Sequence, residues 1–217
     1  IPVDETAPMK PAESPYGYTK QARERPITDA AHARPALATA LLRYSHPIGA
    51  HPTAAIGELP IGRPNNLIPF LTQATAGKRE PLTVFGNDYP TPDGTCIRDY
   101  IHVVDLAAAH VAALRWLLRE TSSTDRSNDK GPLLEAFNLG TGTGSSVKEV
   151  IDTFEAVNGK AVPHSFGPPR QGRAGAINQQ ANKSKSHIGW PAAHSRGYAR
   201  RDARRWDEPG GRRGPTM

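Results

Sequence analysis

At 217 residues, with 37% apolar residues, 21 prolines and 20 glycines, the chain is long enough for one hydrophobic core, and we expect its ends to be disordered. Of the net charge of +6, a net +4 comes from the segment 196–217, which holds seven arginines and three acidic residues; a basic tail of this kind is typical of a solvated end and not of a specific nucleic-acid site. The single cysteine, Cys96, excludes an internal disulfide, and no stretch of about 18 apolar residues is present, so a cytoplasmic protein without a membrane span is predicted.

Near the amino terminus, a tyrosine and a lysine, Tyr16 and Lys20, lie four residues apart where a helix is predicted to begin. Because positions i and i+4 share one helical face, the lysine charge can stabilise the phenolate, and such a tyrosine can exchange a proton with a sugar hydroxyl. Tyr-x-x-x-Lys is a weak signal by itself. The helix is expected to end or to be damaged at Pro26, because proline costs about 3 kcal/mol in a helix interior.

After this helix, short apolar segments alternate with loops rich in glycine and proline, which is typical of an α/β protein. Strands are predicted at 38–44, 82–85, 98–103 and 136–139, and a short helix after 65–71 is expected to end at Gly77. The clearest helix begins near Asp105, whose charge favours the helix dipole. Its buried stripe is expected to consist of Leu106, Val111, Leu114, Leu117 and Leu118.

The strand 136–139 enters a glycine-rich loop, 140–144, and a helix over 147–157 follows. A strand, a glycine loop and a helix in this order are similar to a dinucleotide phosphate cradle. However, Ser145 stands where G-x-G-x-x-G requires its third glycine. A tight turn between strand and helix is therefore the favoured interpretation.

Several longer motifs follow one another along the chain, and the most specific of them covers 84–106. With Tyr16 and Lys20, they make the chain resemble the UDP-glucose 4-epimerases, a family of the extended short-chain dehydrogenase/reductase superfamily, from about residue 14 to residue 190. The motifs that carry the resemblance are Leu42-Arg43-Tyr44, Pro47-x-Gly49-Ala50-His51-Pro52, Pro64-Asn65-Asn66-Leu67, Val84-Phe85-Gly86-Asn87-Asp88-Tyr89, Asp93-Gly94-Thr95, Arg98-Asp99-Tyr100-Ile101-His102-Val103-Val104-Asp105-Leu106 and Asn138-Leu139-Gly140-Thr141-Gly142.

The resemblance implies an α/β architecture, with a partial Rossmann-type sheet and a smaller mixed α/β lobe that binds a nucleotide sugar. Residues 1–45 would be a remnant of the NAD-binding domain, 46–195 the UDP-sugar lobe with interleaved sheet elements, and 196–217 a disordered basic tail. The family interconverts UDP-glucose and UDP-galactose through a 4-keto intermediate with NAD, in galactose metabolism, and it forms homodimers.

The resemblance also implies roles for single residues. Tyr16 would be the catalytic base, Lys20 would hold the nicotinamide ribose, and Tyr44 would lie beside the nicotinamide. No metal is expected, because the histidines are not spaced as metal ligands. The positions that match contacts to the UDP-sugar are His46, Asn66, Leu67, Thr83, Val84, Phe85, Arg98, Arg170 and Ile177.

The chain also departs from the family. The glycine-rich G-x-x-G-x-x-G turn for NAD is absent, and the chain begins just past the position of the catalytic Ser/Thr, so we expect this polypeptide alone to be inactive. Ser45-His46-Pro47 replaces Phe-Asn-Pro, and Arg173 replaces an acidic residue. Three alternatives stay open: a UDP-sugar or diphosphate binder without catalysis, another nucleotide-sugar dehydratase or decarboxylase of the superfamily, and an inactive product whose basic tail binds polyanions weakly.

Overall fold

The computed structural model of the chain describes residues 2–51, 53, 58, 60–122, 131–170 and 175–193. In these ranges helices alternate with short strands, and none of the helices is long and apolar enough to cross a membrane. The elements are α1 (Pro15–Ala33), β1 (Thr39–Tyr44), β2 (His46–Ile48), α2 (Leu67–Thr75), β3 (Leu82–Phe85), β4 (Ile97–Arg98), β5 (Tyr100–His102), α3 (Val103–Ser122), β6 (Leu134–Leu139), β7 (Ser145–Ser146), α4 (Val147–Asn158), β8 (His164–Gly167), β9 (Ala176–Ile177) and α5 (Asn182–Ile188).

The strands pair mostly in parallel, which confirms the predicted α/β class. β1 pairs with β6, β2 with β5 and β3 with β8, each in parallel. Parallel partners need a crossover of many residues, and helices such as α3 provide it here. A separate three-stranded sheet has the order β7-β4-β9, with β4 antiparallel to β7 and parallel to β9.

Two hydrophobic cores hold these layers together. The first lies under β3 and packs α2 against α4 through side chains such as Leu71, Val84 and Phe154. In the second, α3 packs on β6, and the rings of Trp116 and Phe137 meet edge to face with their centres 5.1 Å apart. This second core includes the partly buried Ala40 and Leu42 of β1. The predicted boundary at residue 45, between the NAD-binding remnant and the UDP-sugar lobe, stays a prediction. The predicted disordered tail, 196–217, lies outside the described residues.

Helix α1 corrects the expectation that Pro26 ends or damages the helix, because α1 continues to Ala33. Pro15 occupies the first turn, where a missing N–H is harmless, and Ser14 caps the helix by accepting a hydrogen bond from Gly17 N. At Pro26 the missing N–H leaves the carbonyl of Ala22 without its helical partner. Both residues are exposed, so water can satisfy that carbonyl and the helix tolerates the proline.

The packing face of α3 was predicted incorrectly. Of the expected stripe, Leu106 is buried and Leu117 packs against the second core. However, the helix buries Ala109, Ala113 and Trp116 beside Leu106. The other three residues of the expected stripe are exposed: Val111, Leu114 and Leu118.

Other boundaries agree more closely. The strands expected at 38–44 and 82–85 are confirmed as β1 and β3, and α2 ends one residue before its C-cap, Ala76, with Gly77 next at φ +67°. The single strand expected at 98–103 is divided into β4 and β5 by Asp99. This division lets the two halves join different sheets.

The amino-terminal segment binds across the end of β6. Val3 forms a parallel bridge with Gln179. The Glu5 carboxylate accepts a hydrogen bond from Asn138 N at 2.8 Å, and the Asn138 amide donates to Val3 O at 3.0 Å. Arg43 of β1 donates to Glu5 O at 3.1 Å. The first residues of the chain are therefore bonded to strands that come much later in the sequence.

Candidate nucleotide-sugar site

Arg98 lies at the centre of the three-stranded sheet. Arg98 is 7% exposed, and it pairs in register with Ser145 on β7 and Ile177 on β9. The guanidinium donates to Ile97 O at 2.6 Å and to Gly175 O at 3.5 Å. The backbone of β4 and the residue before β9 thus hold one face of a permanently charged donor group.

Phe85 and Arg170 form the closest contact between two predicted substrate residues. The guanidinium carbon of Arg170 lies 3.9 Å from the centre of the Phe85 ring, which is the geometry of a cation–π contact. Phe85 ends β3 with 37% of its surface exposed, whereas Val84 is buried in the first core. Thr83 is half-buried. The side chain of Val84 is therefore not accessible to a ligand.

Asn66 and Leu67 stand at the start of α2, where the first-turn amides of a helix favour an anion. The Asn66 side chain does not cap the helix; its amide donates to Glu58 Oε1 at 3.4 Å. Burial raises the pKa of Glu58, and the hydrogen bond from Asn66 opposes that shift in part. Leu67 is partly buried against the first core.

Tyr16 and Lys20 lie on one face of α1, as their spacing predicts. The Lys20 Nζ atom is 4.9 Å from the centre of the Tyr16 ring, and the tyrosine is 71% exposed. Tyr44 is also exposed, and its ring lies 6.2 Å from that of His110. Among the described residues, no hydrogen bond or ring contact joins Tyr44 to this pair.

His46 stands in register with Tyr100, because β2 pairs with β5. The centres of the two rings are 5.7 Å apart. Ser45 Oγ lies 3.0 Å from His46 Nδ1. The ring of His46 is therefore oriented by both neighbours while the residue stays exposed.

The loop after β6 is occupied by a carboxylate of the chain itself. Asp99 is fully buried, and its oxygens accept hydrogen bonds from Thr141 N at 2.9 Å, Thr141 Oγ1 at 2.7 Å, and the amides of Gly142 and Gln179 at 3.3 Å. A Cβ at Gly140 would lie 2.4 Å from Asp99 Oδ2. With the amides of Thr141 and Gly142 bound to Asp99, this loop does not fit the phosphates of a dinucleotide, which agrees with the interpretation as a tight turn.

Sequence reasoning did not single out Asp99, although a signal was present. A carboxylate between residues of a short buried strand must find several donors, because burying a charge without partners costs several kcal/mol. Asp93 belongs to the motif Asp93-Gly94-Thr95, but no role was predicted for it. It accepts hydrogen bonds from Thr95 N and Thr95 Oγ1, each at 2.8 Å, and from Ser146 Oγ, and Ser146 caps α4 together with Glu149.

Comparison with protein-family models identifies residues 1–125 as matching the NAD dependent epimerase/dehydratase family. Among curated proteins, the chain is 45% identical over 205 residues to the UDP-glucose 4-epimerase of Bacillus subtilis, which covers 94% of this chain and 57% of that protein. It is 43% identical to UDP-glucose 4-epimerase 4 of Oryza sativa, covering 94% of this chain and 53% of that protein. The chain thus spans little more than half the length of these relatives.

Solved structures of UDP-glucose 4-epimerases are also similar to this chain. The UDP-glucose-4-epimerase of Stenotrophomonas maltophila, with bound NAD and formylated UDP-arabinopyranose, superposes with a TM-score of 0.85 at 42% identity, covering 94% of this chain and 57% of that one. The Bifidobacterium longum UDP-glucose 4-epimerase, in complex with NAD+ and UDP, has a TM-score of 0.85 at 36% identity, covering 97% and 60%. Because the family model matches more than half of the chain, the chain belongs to the NAD dependent epimerase/dehydratase family, and it is similar to the UDP-glucose 4-epimerases of that family.

Proposed function

We propose that this chain is the UDP-sugar-binding part of a UDP-glucose 4-epimerase. One observation carries the proposal: Phe85 and Arg170, far apart in the sequence, match two contacts of the same ligand in the family, and they lie 3.9 Å apart. A chance similarity of sequence would not be expected to bring these two side chains together.

The chemistry of the neighbouring groups supports a ligand of this class. Arg98 and Arg170 would bind the diphosphate, because a planar guanidinium offers paired donors to phosphate oxygens. The amides at the start of α2, beside Asn66 and Leu67, add a positive helix end. Phe85 would support the uracil together with the backbone of β3, and Ile177 would limit the room around the sugar.

The catalytic roles are proposed from the motif. Tyr16 would take and return the C4 hydroxyl proton of the sugar. Lys20 and Tyr44 would contact the nicotinamide side of NAD, the cofactor that supplies hydride transfer in the relatives. However, the amides of Thr141 and Gly142 are bound to Asp99, so this loop would not supply a cradle for the NAD phosphates. This chain alone is therefore proposed to bind UDP-sugars without turning them over.

We also propose that the protein acts in the cytoplasm, as part of a homodimer, and without a specific nucleic-acid ligand. The single cysteine, Cys96, is compatible with a reducing compartment. A net +4 of the +6 charge belongs to the segment 196–217, so the rest of the chain is nearly balanced.

Isothermal titration calorimetry of the purified chain with UDP tests the proposal. Arg170→Ala should weaken UDP binding by about tenfold or more, since it removes charged hydrogen bonds to phosphate. Arg25→Ala is the matched control: it removes an exposed arginine that pairs with Asp29 on α1, and UDP affinity should not change. Absence of UDP binding, or equal loss in both variants, would contradict the proposal. Epimerase activity with stoichiometric bound NAD would contradict the expected lack of turnover.

A further inference from the structure

We infer that Asp99 is a positioning residue for the UDP-sugar site: its carboxylate binds the segments that adjoin β7 and β9, the two neighbours of β4, and thereby fixes the place of Arg98. The inference rests on the proposed function, because it assigns Arg98 to the diphosphate. Asp99 itself is fully buried and would not contact the ligand.

The first link runs from Asp99 to β9. Asp99 Oδ2 accepts a hydrogen bond from Gln179 N at 3.3 Å, two residues after β9 ends. β9 has only two residues, and its approach to β4 is also held by the bond from Ile97 N to Gly175 O at 2.7 Å. The Arg98 guanidinium donates to that same carbonyl, Gly175 O. A shift of β9 would therefore move an acceptor that orients the Arg98 side chain.

The second link runs to the other side of the sheet. Asp99 accepts from Thr141 N, Thr141 Oγ1 and Gly142 N. The loop then leads into β7, where Ser145 stands in register with Arg98. One carboxylate thus connects the segments that flank the strand of Arg98 on both sides.

The fit of Asp99 leaves little room for rearrangement. A Cβ at Gly140 would come within 2.4 Å of Asp99 Oδ2, and four donors surround the two oxygens. A buried charge with all its donors in place makes a rigid network, and it loosens when one acceptor is lost. Asp99→Asn keeps the size of the side chain, but in either orientation its NH2 replaces an oxygen that accepts a backbone N–H.

Affinity for two ligands separates positioning from a general loss of structure. In Asp99→Asn, the dissociation constant of UDP should rise by about tenfold or more, whereas that of uridine, which has no diphosphate, should stay within about threefold. The matched control is Asp93→Asn, because Asp93 also accepts three hydrogen bonds in the neighbouring loop, from Thr95 and Ser146. In this control, both affinities should stay within about threefold of the original chain. Unchanged UDP affinity in Asp99→Asn, or equal weakening of UDP and uridine, would overturn the inference.

Amide hydrogen exchange gives a reading that does not need the ligand. The amides of Gln179 and Ile97 should exchange faster in Asp99→Asn and at the original rate in Asp93→Asn. If the original chain does not bind UDP, the proposed function fails, and this exchange pattern alone decides whether Asp99 holds β9. Equal exchange in all three proteins would overturn the inference.

A milder variant serves if Asp99→Asn does not fold. Thr141→Val removes the 2.7 Å hydrogen bond from Thr141 Oγ1 and leaves the Asp99 carboxylate in place. A measurable increase in exchange at Ile97, with UDP binding weakened by more than about threefold, would support the inference. No change in either quantity would overturn it.

Discussion

Replacing Pro26 by alanine should stabilise α1, the helix that carries Tyr16 and Lys20. Proline in the middle of a helix costs about 3 kcal/mol, through the missing hydrogen bond to the carbonyl four residues earlier and the crowding of that carbonyl by the ring. Alanine restores the bond to Ala22 O. It also gives the unfolded chain more conformational freedom, which offsets about 1 kcal/mol. The free energy of local opening of the helix should therefore rise by about 2 kcal/mol in Pro26→Ala.

Local opening is the quantity to measure, because α1 buries only Ala31 and is held to β1 by the ion pair of Arg43 with Glu24 at 2.7 Å. Amide hydrogen exchange followed by NMR reports such opening residue by residue. For the amides of residues 27–33, a gain of about 2 kcal/mol corresponds to exchange about thirtyfold slower in Pro26→Ala.

Pro15→Ala is the internal control. Pro15 occupies the first turn of α1, where the missing N–H would have no helical partner, so exchange should change by less than about threefold. If Pro26→Ala leaves the exchange of residues 27–33 unchanged, the two halves of α1 open independently. The helix would then not bear the cost of the proline, and the reasoning would be wrong.

Two further predictions concern the packing face of α3 and the titration of Asp93. Leu114→Glu, at a residue that is 57% exposed, should change the free energy of unfolding in urea by no more than about 0.5 kcal/mol. Trp116→Ala, in contrast, should lower that free energy by about 3–5 kcal/mol. Similar losses in the two variants would mean that α3 buries the leucine face that the sequence predicts. Burial raises the pKa of Asp93, but hydrogen bonds from Ser146 and Thr95 outweigh it and hold the pKa below its ordinary value. A carboxyl group whose pKa is lower in the folded than in the unfolded chain stabilises the fold above its unfolded pKa, and this contribution is lost as the pH falls. Below about pH 4, the original chain should therefore lose stability more steeply than Asp93→Asn. Parallel pH profiles of stability for the two proteins would contradict this prediction.

The strands β1, β3 and β6 and the helix α2 could be predicted because their signals are local. β3 is a short apolar run between turns, and it lies at 82–85 as expected. For α2, Gly77 marked the end correctly, because its φ of +67° suits glycine. The spacing of Tyr16 and Lys20 likewise predicted a shared helical face without reference to any other part of the chain.

The orientation of α3 could not be predicted from its apolar residues, because they surround most of the helix. Counting leucines favours the face with Leu114 and Leu118, whereas the protein buries Ala109 and Ala113. Small side chains let the helix axis approach the sheet, and Trp116 fills the remaining space beside Phe137. Such a preference depends on the shape of the opposite surface, which periodicity does not contain.

The role of Asp99 was hidden for a different reason. Its donors on Thr141 and Gln179 lie 42 and 80 residues further along the chain. No local pattern links these positions, and the glycine loop that receives the carboxylate is similar in sequence to one that receives a phosphate. Phe85 and Arg170, in contrast, were both assigned to the UDP-sugar from the resemblance to a family, although their mutual contact was not predicted.

The amino-terminal segment has a consequence for how the chain folds. Glu5 and Val3 bind Asn138 across 133 and 135 residues, and Val3 also bridges to Gln179. The entropy of closing such long loops grows only slowly with their length, but contacts of this separation slow folding. On the ribosome, residues 2–5 are made long before Asn138 and Gln179, so they wait for these partners. During synthesis this segment therefore stays without its partners until β6 and then Gln179 have emerged, and in that interval a chaperone or a wrong strand would compete for it.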